Sequence, residues 1–326
     1  MLIQGTSNHH LALWLENDLL RVGVLPEKGA DIFEFTQLPS GVQFLMQTPW
    51  GLKPPTDQPV ADFLDNYEGG WQELFPNAND ACEYRGRSIP FHGEVALLPW
   101  HLKVLRDDDQ ETAIHLSVTC QRTPFHLERT LSLVSGESRL FVWEKVTNIG
   151  NEPFEFVWGH HLTLGGDFLE DGCLLDCPAG HLFTPPQSFE PQTARLAPAQ
   201  DEPWPLALGR SGERIDLRCI PGPEAHTHDD AILSGLQRGI YTVANPRLGL
   251  RFSLEWDLAV FPWVMFWQPY GGADLPPLTG IYGVGLEPWS APSPLAQAAA
   301  AGQASQLAPG TSLQTELVAS VQTVAG

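Results

Sequence analysis

Ile114-His115-Leu116-Ser117-Val118-Thr119-Cys120-Gln121 alternates one apolar with one polar side chain, the period-two signature of a strand with one face buried and the other wet. The same rhythm returns in Leu250-Arg251-Phe252-Ser253-Leu254-Glu255-Trp256-Asp257, and Leu140, Val142 and Val146 share one face of a third run. Between such runs lie Ser135-Gly136-Glu137, Asn148-Ile149-Gly150-Asn151 and Asn245-Pro246-Arg247-Leu248-Gly249, whose glycine, proline and asparagine favour turns. No long stretch keeps a 3.6-residue apolar rhythm. That argues against repeated βαβ crossovers and for many antiparallel strands in stacked sheets, so the expected fold class is all-β.

A chain of 326 residues with 43% hydrophobic content is long enough for one large all-β domain, expected here to span residues 1–326. Two segments interrupt the strand pattern. Residues 47–92 form a long connection rich in Pro, Asp, Asn and Gly, of a length that inside a compact domain usually signals function. Residues 290–309 read as a connector holding one short surface helix around Leu295–Ala301, ahead of a last strand near Leu313–Val321. Lys and Arg number 18 against 39 Asp and Glu, a formal charge of -21 that repels phosphate backbones, so nucleic acid is not an expected partner. There is no basic leader, and no apolar run approaches the ~20 residues that cross a bilayer, so no membrane partner and a cytoplasmic location are expected. The five cysteines, Cys82, Cys120, Cys173, Cys177 and Cys219, are odd in number and widely spread, which fits ordinary thiols rather than a disulfide framework.

Three islands carry chemistry that strand packing does not call for. Gly159-His160-His161-Leu162-Thr163-Leu164-Gly165 puts two histidines into a strand-like run; neighbours in a strand face opposite ways, so at most one of them enters a given cleft. A lone strand histidine is more often a satisfied core residue, but the pair and its flanking glycines shift the balance towards function. Gly69-Gly70-Trp71-Gln72-Glu73-Leu74-Phe75-Pro76-Asn77 leads to Phe91-His92-Gly93-Glu94, where Gly93 allows a ligand or another backbone to come close to His92. In Gly283-Val284-Gly285-Leu286-Glu287-Pro288-Trp289, a carboxylate ends an apolar strand with no Lys or Arg around it, a costly placement unless the group is used. His226, Thr227, His228, Asp229 and Asp230 form a further polar cluster, for most of its members an ordinary hydrophilic loop, and Trp71, Trp263, Trp267 and Trp289 could supply flat faces for a sugar ring, although aromatic residues at strand positions are more often simply core. No nucleophile elbow, phosphate-binding glycine loop or His-Glu-x-x-His motif is present, and no cofactor is expected.

With these landmarks the chain resembles the aldose 1-epimerase, or galactose mutarotase-like, family, a group built on a large antiparallel β-supersandwich. Phe91-His92-Gly93 followed by Pro99-Trp100 is similar to the family's histidine-glycine pair, Gly159-His160-His161 to its central strand histidine, and Leu286-Glu287-Pro288 to the segment with its catalytic glutamate. They stand in family order, and Leu20-Arg21-Val22 through Gly29-Ala30-Asp31-Ile32 resembles the first strands, so the likeness spans nearly the whole chain. Departures exist. Glu68, not arginine, precedes Gly69-Gly70, leaving Arg85 or Arg87 to replace the family's cleft arginine, and Leu162-Thr163-Leu164 follows the central histidine where many relatives carry aromatic residues.

The resemblance implies an isomerase that interconverts the α and β anomers of an aldose, free or phosphorylated, with Glu287 as base, His161 as acid and His92 on the ring oxygen. Asp229, preferred to Asp230, is then expected to orient hydroxyls, and Trp71, Glu73, Arg85, His160 and Trp267 to contact the sugar. No metal is assigned. Two other readings stand beside this one: a metal-dependent sugar isomerase using His92, His161, His226 or His228 and a carboxylate, and a non-catalytic carbohydrate-binding protein.

Overall fold

The alternating runs become two facing antiparallel sheets in the computed structural model, which describes residues 1–56 and 62–324. The larger sheet has 12 strands. Its centre is the succession Asp31–Gln37, Trp71–Leu74, Gly159–Leu164, Val284–Trp289, Trp263–Tyr270 and Thr227–Ser234. The second sheet has 9, with Leu250–Trp256, Ser312–Thr323, Arg139–Asn148, Phe125–Val134 and Glu111–Thr119 side by side. Ile114, Leu116 and Val118 are buried as their spacing requires, and Phe125–Val134 alternates buried and half-buried residues along its whole length. The fold is thus the all-β sandwich expected from the alternation.

Between the sheets the inward faces interdigitate. Phe35 of the large sheet meets Phe252 of the second edge to face at 5.7 Å between ring centroids, and Phe75 meets Phe125 at 5.1 Å. Each such ring, fully buried, contributes roughly 1.5–3 kcal/mol by leaving water. The central strands Trp71–Leu74, Gly159–Leu164 and Val284–Trp289 differ from the rest: every residue in them is buried. Their inner face lies on the sandwich core. Their outer face is covered by the 47–92 connection, whose Phe63, Tyr67, Ala78 and Ile89 pack with Trp289 and with the helix Leu295–Ala300. The helix is pinned by the Leu295 amide donating to Asn77 Oδ1 at 2.7 Å. The last strand, Ser312–Thr323, runs longer than the expected segment because it pairs on both sides, with Arg139–Asn148 and with Leu250–Trp256. Residues 57–61 of the long connection lie outside the described residues, and no helix among the described residues is long and apolar enough to cross a membrane.

Gly159 permits the closest approach at the centre of the sheet. It pairs with Trp289 on one side and Leu74 on the other, and a Cβ there would stand 2.3 Å from Trp289 Cδ2. Gly159→Ala therefore has to move an indole that is itself held by Glu287. The expected cost is about 1–3 kcal/mol, read as a lower denaturation midpoint together with a changed near-ultraviolet circular dichroism; an unchanged midpoint would contradict this packing.

Candidate active site

Strand alternation sorts the candidate residues onto two faces. His161 and Thr163 point outward from Gly159–Leu164 while His160 and Leu162 point inward, and the register His161↔Gln72, His160↔Glu73 and Leu162↔Trp71 carries the same division into the neighbouring strand. Glu287 lies opposite Met265, and Asp230 opposite Trp267, both on the outer face. There they line a cavity of about 300 Å³ together with His92, His161, Tyr67 and Trp267. His92, His161, Glu287 and Trp267, distant in sequence, are thereby brought into one place.

His161 Nε2 lies 3.6 Å from Glu287 Oε1, and the Trp289 indole donates to the other carboxylate oxygen at 3.1 Å. Thr163 Oγ1 stands 3.4 Å from His161 Nδ1 and 2.9 Å from the Tyr67 hydroxyl. The His92 ring lies 5.4 Å from that of His161, and the Asn79 amide donates to His92 Nδ1 at 3.2 Å, so a neutral His92 carries its proton on Nε2. Gly93 next to it serves a backbone approach: a Cβ would stand 2.2 Å from the Phe75 carbonyl oxygen. Burial governs the charges. It lowers His161 to about 3 and His92 well below the ordinary histidine value, and it pushes Glu287 well above the carboxylate range, with the Asp230 charge adding to the rise and the Trp289 hydrogen bond opposing it. Asp230 is raised to about 6, again chiefly by desolvation. Burial thus favours the uncharged form of both His161 and Glu287, a pair with one transferable proton and no net charge. An ionised Glu287 beside an imidazolium has the same proton count.

The inner face holds a different set, and here three expectations are corrected. Trp71, Glu73 and His160 do not reach the cavity; they meet Arg129 and Glu144 of the second sheet inside the sandwich. Arg129 is bonded to Glu73 and, at 2.8 Å, to Glu144 Oε1. His160 accepts the Trp71 indole hydrogen on Nδ1 at 3.1 Å and turns Nε2 to Glu144 Oε2, also at 3.1 Å. The strand carrying them is buried on both faces, so a polar side chain there need not belong to the cleft. Glu73, Glu144 and His160 are the group among the described residues whose potential ligand atoms all lie within 4.8 Å of one another, but Arg129 already occupies the carboxylates. His92 and His161 form no such group with His226, which is exposed, or with His228, which is bonded to Glu190 and Trp267.

Two further expectations are corrected. Asp229 faces away from the cavity, accepting from the Leu196 amide at 2.9 Å and from Arg195 Nε at 3.2 Å, and Asp230 supplies the cleft carboxylate instead. The two are strand neighbours, so a one-residue choice exchanges the faces. Arg85 is also outside: it pairs with Glu155 at 2.6 Å and lies over Phe154, on the rim of the molecule formed by the hairpin Cys82–Tyr84 and Arg87–Ile89. No Lys or Arg lines the cavity among the described residues. Sequence reading missed Tyr67, Phe63 and Phe189, which line the cavity from irregular segments where no periodicity marks direction. The one signal for the first two was the unusual length of the 47–92 connection.

Comparison with known proteins agrees with the architecture. The family model described as Domain of unknown function (DUF4432) matches residues 9–201, more than half of the chain. No curated protein matches the sequence. Among solved structures, the Slr1438 protein from Synechocystis sp. PCC 6803 is 20% identical, with a TM-score of 0.70 over 98% of this chain and 99% of that one. A galactose mutarotase related enzyme from Lactobacillus acidophilus is 16% identical, with a TM-score of 0.64 over 96% of this chain and 98% of its own. A galactose mutarotase-like protein from Clostridium acetobutylicum is 14% identical, with a TM-score of 0.63 over 99% of both chains. At these identities the likeness shows the fold, which is galactose mutarotase-like.

The raised Glu287 gives a stability test. A carboxyl whose folded pKa exceeds its unfolded value contributes stability that is full below about 4.5 and is lost as pH rises towards the folded pKa. Glu287→Gln removes that loss. Its melting temperature relative to the wild type is expected to rise from pH 4.5 to pH 8; a difference that stays flat or falls over this range would contradict the burial-driven shift.

Proposed function

We infer that this chain, which belongs to the DUF4432 family and has a galactose mutarotase-like fold, interconverts the α and β anomers of a free aldose by acid–base opening and closing of the sugar ring. The observation that carries this reading is the pairing of His161 Nε2 with Glu287 Oε1 across 3.6 Å inside an aromatic cavity. The gap exceeds a hydrogen bond, so neither group is committed to the other and both can address a substrate. Ionised Glu287 takes the proton from the C1 hydroxyl while protonated His161 gives one to the ring oxygen; the C1–O5 bond breaks and the aldehyde forms. Rotation about C1–C2 presents the other face, and the reverse transfers close the ring. Each well-placed group contributes on the order of 10²–10⁴-fold.

The neighbours fit these roles. Burial keeps Tyr67 protonated far beyond neutrality, and Thr163 Oγ1 links its hydroxyl, at 2.9 Å, to His161 Nδ1, at 3.4 Å. With the hydrogen of a neutral His161 on Nδ1, facing Thr163, its Nε2 is free to take the Glu287 proton and form the ionised pair from which the reaction starts. His92 Nε2–H supplies a second donor for the ring oxygen, and Asp230 a hydroxyl acceptor. With Asp80, Asp230 and Glu287 along the wall and no cation beside them among the described residues, a neutral sugar is favoured over a sugar phosphate.

Polarimetry of a freshly dissolved α-aldose, corrected for the spontaneous rate, tests the assignment. Glu287→Gln and His161→Asn are each expected to lower kcat by about 10²-fold or more with sugar affinity kept, and His92→Asn to be milder. Wild-type rates in Glu287→Gln would reject the base. Free sugars are expected to be turned over faster than their phosphates; the opposite preference would reject the substrate class.

A further inference from the structure

Trp267, whose indole lines the cavity 5.5 Å from the His161 ring, ends a buried chain that the proton transfers do not use. Its Nε1 donates to His228 Nε2 at 2.7 Å, and His228 Nδ1 lies 3.2 Å from Glu190 Oε1. An indole nitrogen only donates, so His228 Nε2 must be bare, and a neutral His228 then gives its one hydrogen from Nδ1 to Glu190. Donors and acceptors are therefore fixed along the whole chain. His228 and Glu190 are 1% and 2% exposed, which shields both bonds from competing water. Glu190 does more than orient the ring: its other oxygen accepts the Asp274 amide at 2.8 Å, joining two loops that put Phe189 and Leu278 on the cavity wall. Phe189 itself sits edge-on to His228 at 5.6 Å.

We propose that Glu190 and His228 are positioning residues that lock the Trp267 indole as the flat platform for the apolar face of a pyranose. The chain spends the indole's only polar atom away from the substrate and leaves the π-surface for C–H contacts. This rests on the reading of the cavity as a sugar site. Loss of the lock should then weaken sugar affinity rather than slow the proton transfers.

The test pairs His228→Leu, which removes the acceptor, with His228→Gln, whose amide oxygen can accept the indole hydrogen. In a ¹H–¹⁵N spectrum of protein labelled at its 11 tryptophans, the Trp267 indole cross-peak, identified by its absence in Trp267→Phe, is expected downfield of the ordinary indole range. It should move upfield in His228→Leu and return towards its place in His228→Gln. KM for the aldose should rise about tenfold in His228→Leu, the scale of one aromatic contact, with kcat within about threefold, and stay within about twofold of the wild type in His228→Gln. A Trp267 cross-peak already in the ordinary range in the wild type, one unmoved by His228→Leu, or an equal rise in KM for both variants would overturn the proposal. If the wild type turns over no aldose, the catalytic reading fails, and Kd for the same sugar replaces KM beside the unchanged indole measurement.

Discussion

One strand with no wet face governs this molecule. Gly159–Leu164 is buried on both sides, so its period-two alternation sends adjacent histidines into two different buried environments. His160 enters the sandwich and becomes part of a charged cluster that joins the sheets; His161 enters the cavity. The cluster is costly to build, since Arg129 is 1% exposed and each buried ion gives up its hydration. It holds because the Glu144 carboxylate balances the guanidinium, burial raises Glu73 to about 8 so that its carboxyl need not be ionised, and the Trp158 indole and the Ala30 carbonyl complete the hydrogen bonds of Glu73 and Arg129. Removing one partner of such a pair typically costs about 3–5 kcal/mol. The strands that carry Glu73 and His160 are thereby fixed in height and rotation, and so is the reverse side of the same strand, where His161 meets Glu287.

The same low-dielectric surroundings that anchor the inner face set the chemistry of the outer one. Burial lowers the histidines and raises the carboxyl, which stores a proton within a pair that stays electrically neutral. A cavity of this kind can exchange protons with a hydroxyl without creating net charge, although the chain around it carries -21. Stability is given up for this: a carboxyl held well above its ordinary range is one the fold would be more stable without at neutral pH.

What the sequence made legible follows from where its rules apply. Alternation reveals a strand with one wet face, so Glu111–Thr119 and Leu250–Trp256 could be read directly, and with them the stacked sheets. A polar residue in an apolar strand stands out as well, which is why His161 and Glu287 were visible. The rule that finds such residues does not say which face they take when both faces are dry. Trp71, Glu73 and His160 were legible as unusual and illegible as inner-face residues. Asp229 and Asp230 show the same limit at a single step of register. Arg85 lay beyond any rule, because a loop arginine is aimed by its neighbours, here Glu155 and Phe154. The 47–92 connection was marked by its length, yet Tyr67 and Phe63 within it follow no period. Glu190, far from His228 in sequence and in an irregular loop, left no trace at all.

The central claim is that the outer cavity moves protons on and off a sugar's anomeric centre. Exchange spectroscopy addresses it directly, by saturating the H1 resonance of the α anomer of free aldoses at equilibrium and following transfer to the β anomer with and without the protein. Transfer well above the spontaneous rate is expected for at least one unphosphorylated aldose, in proportion to protein concentration. Spontaneous-rate transfer for every aldose, with the sugars nevertheless bound in the cavity, would contradict that claim.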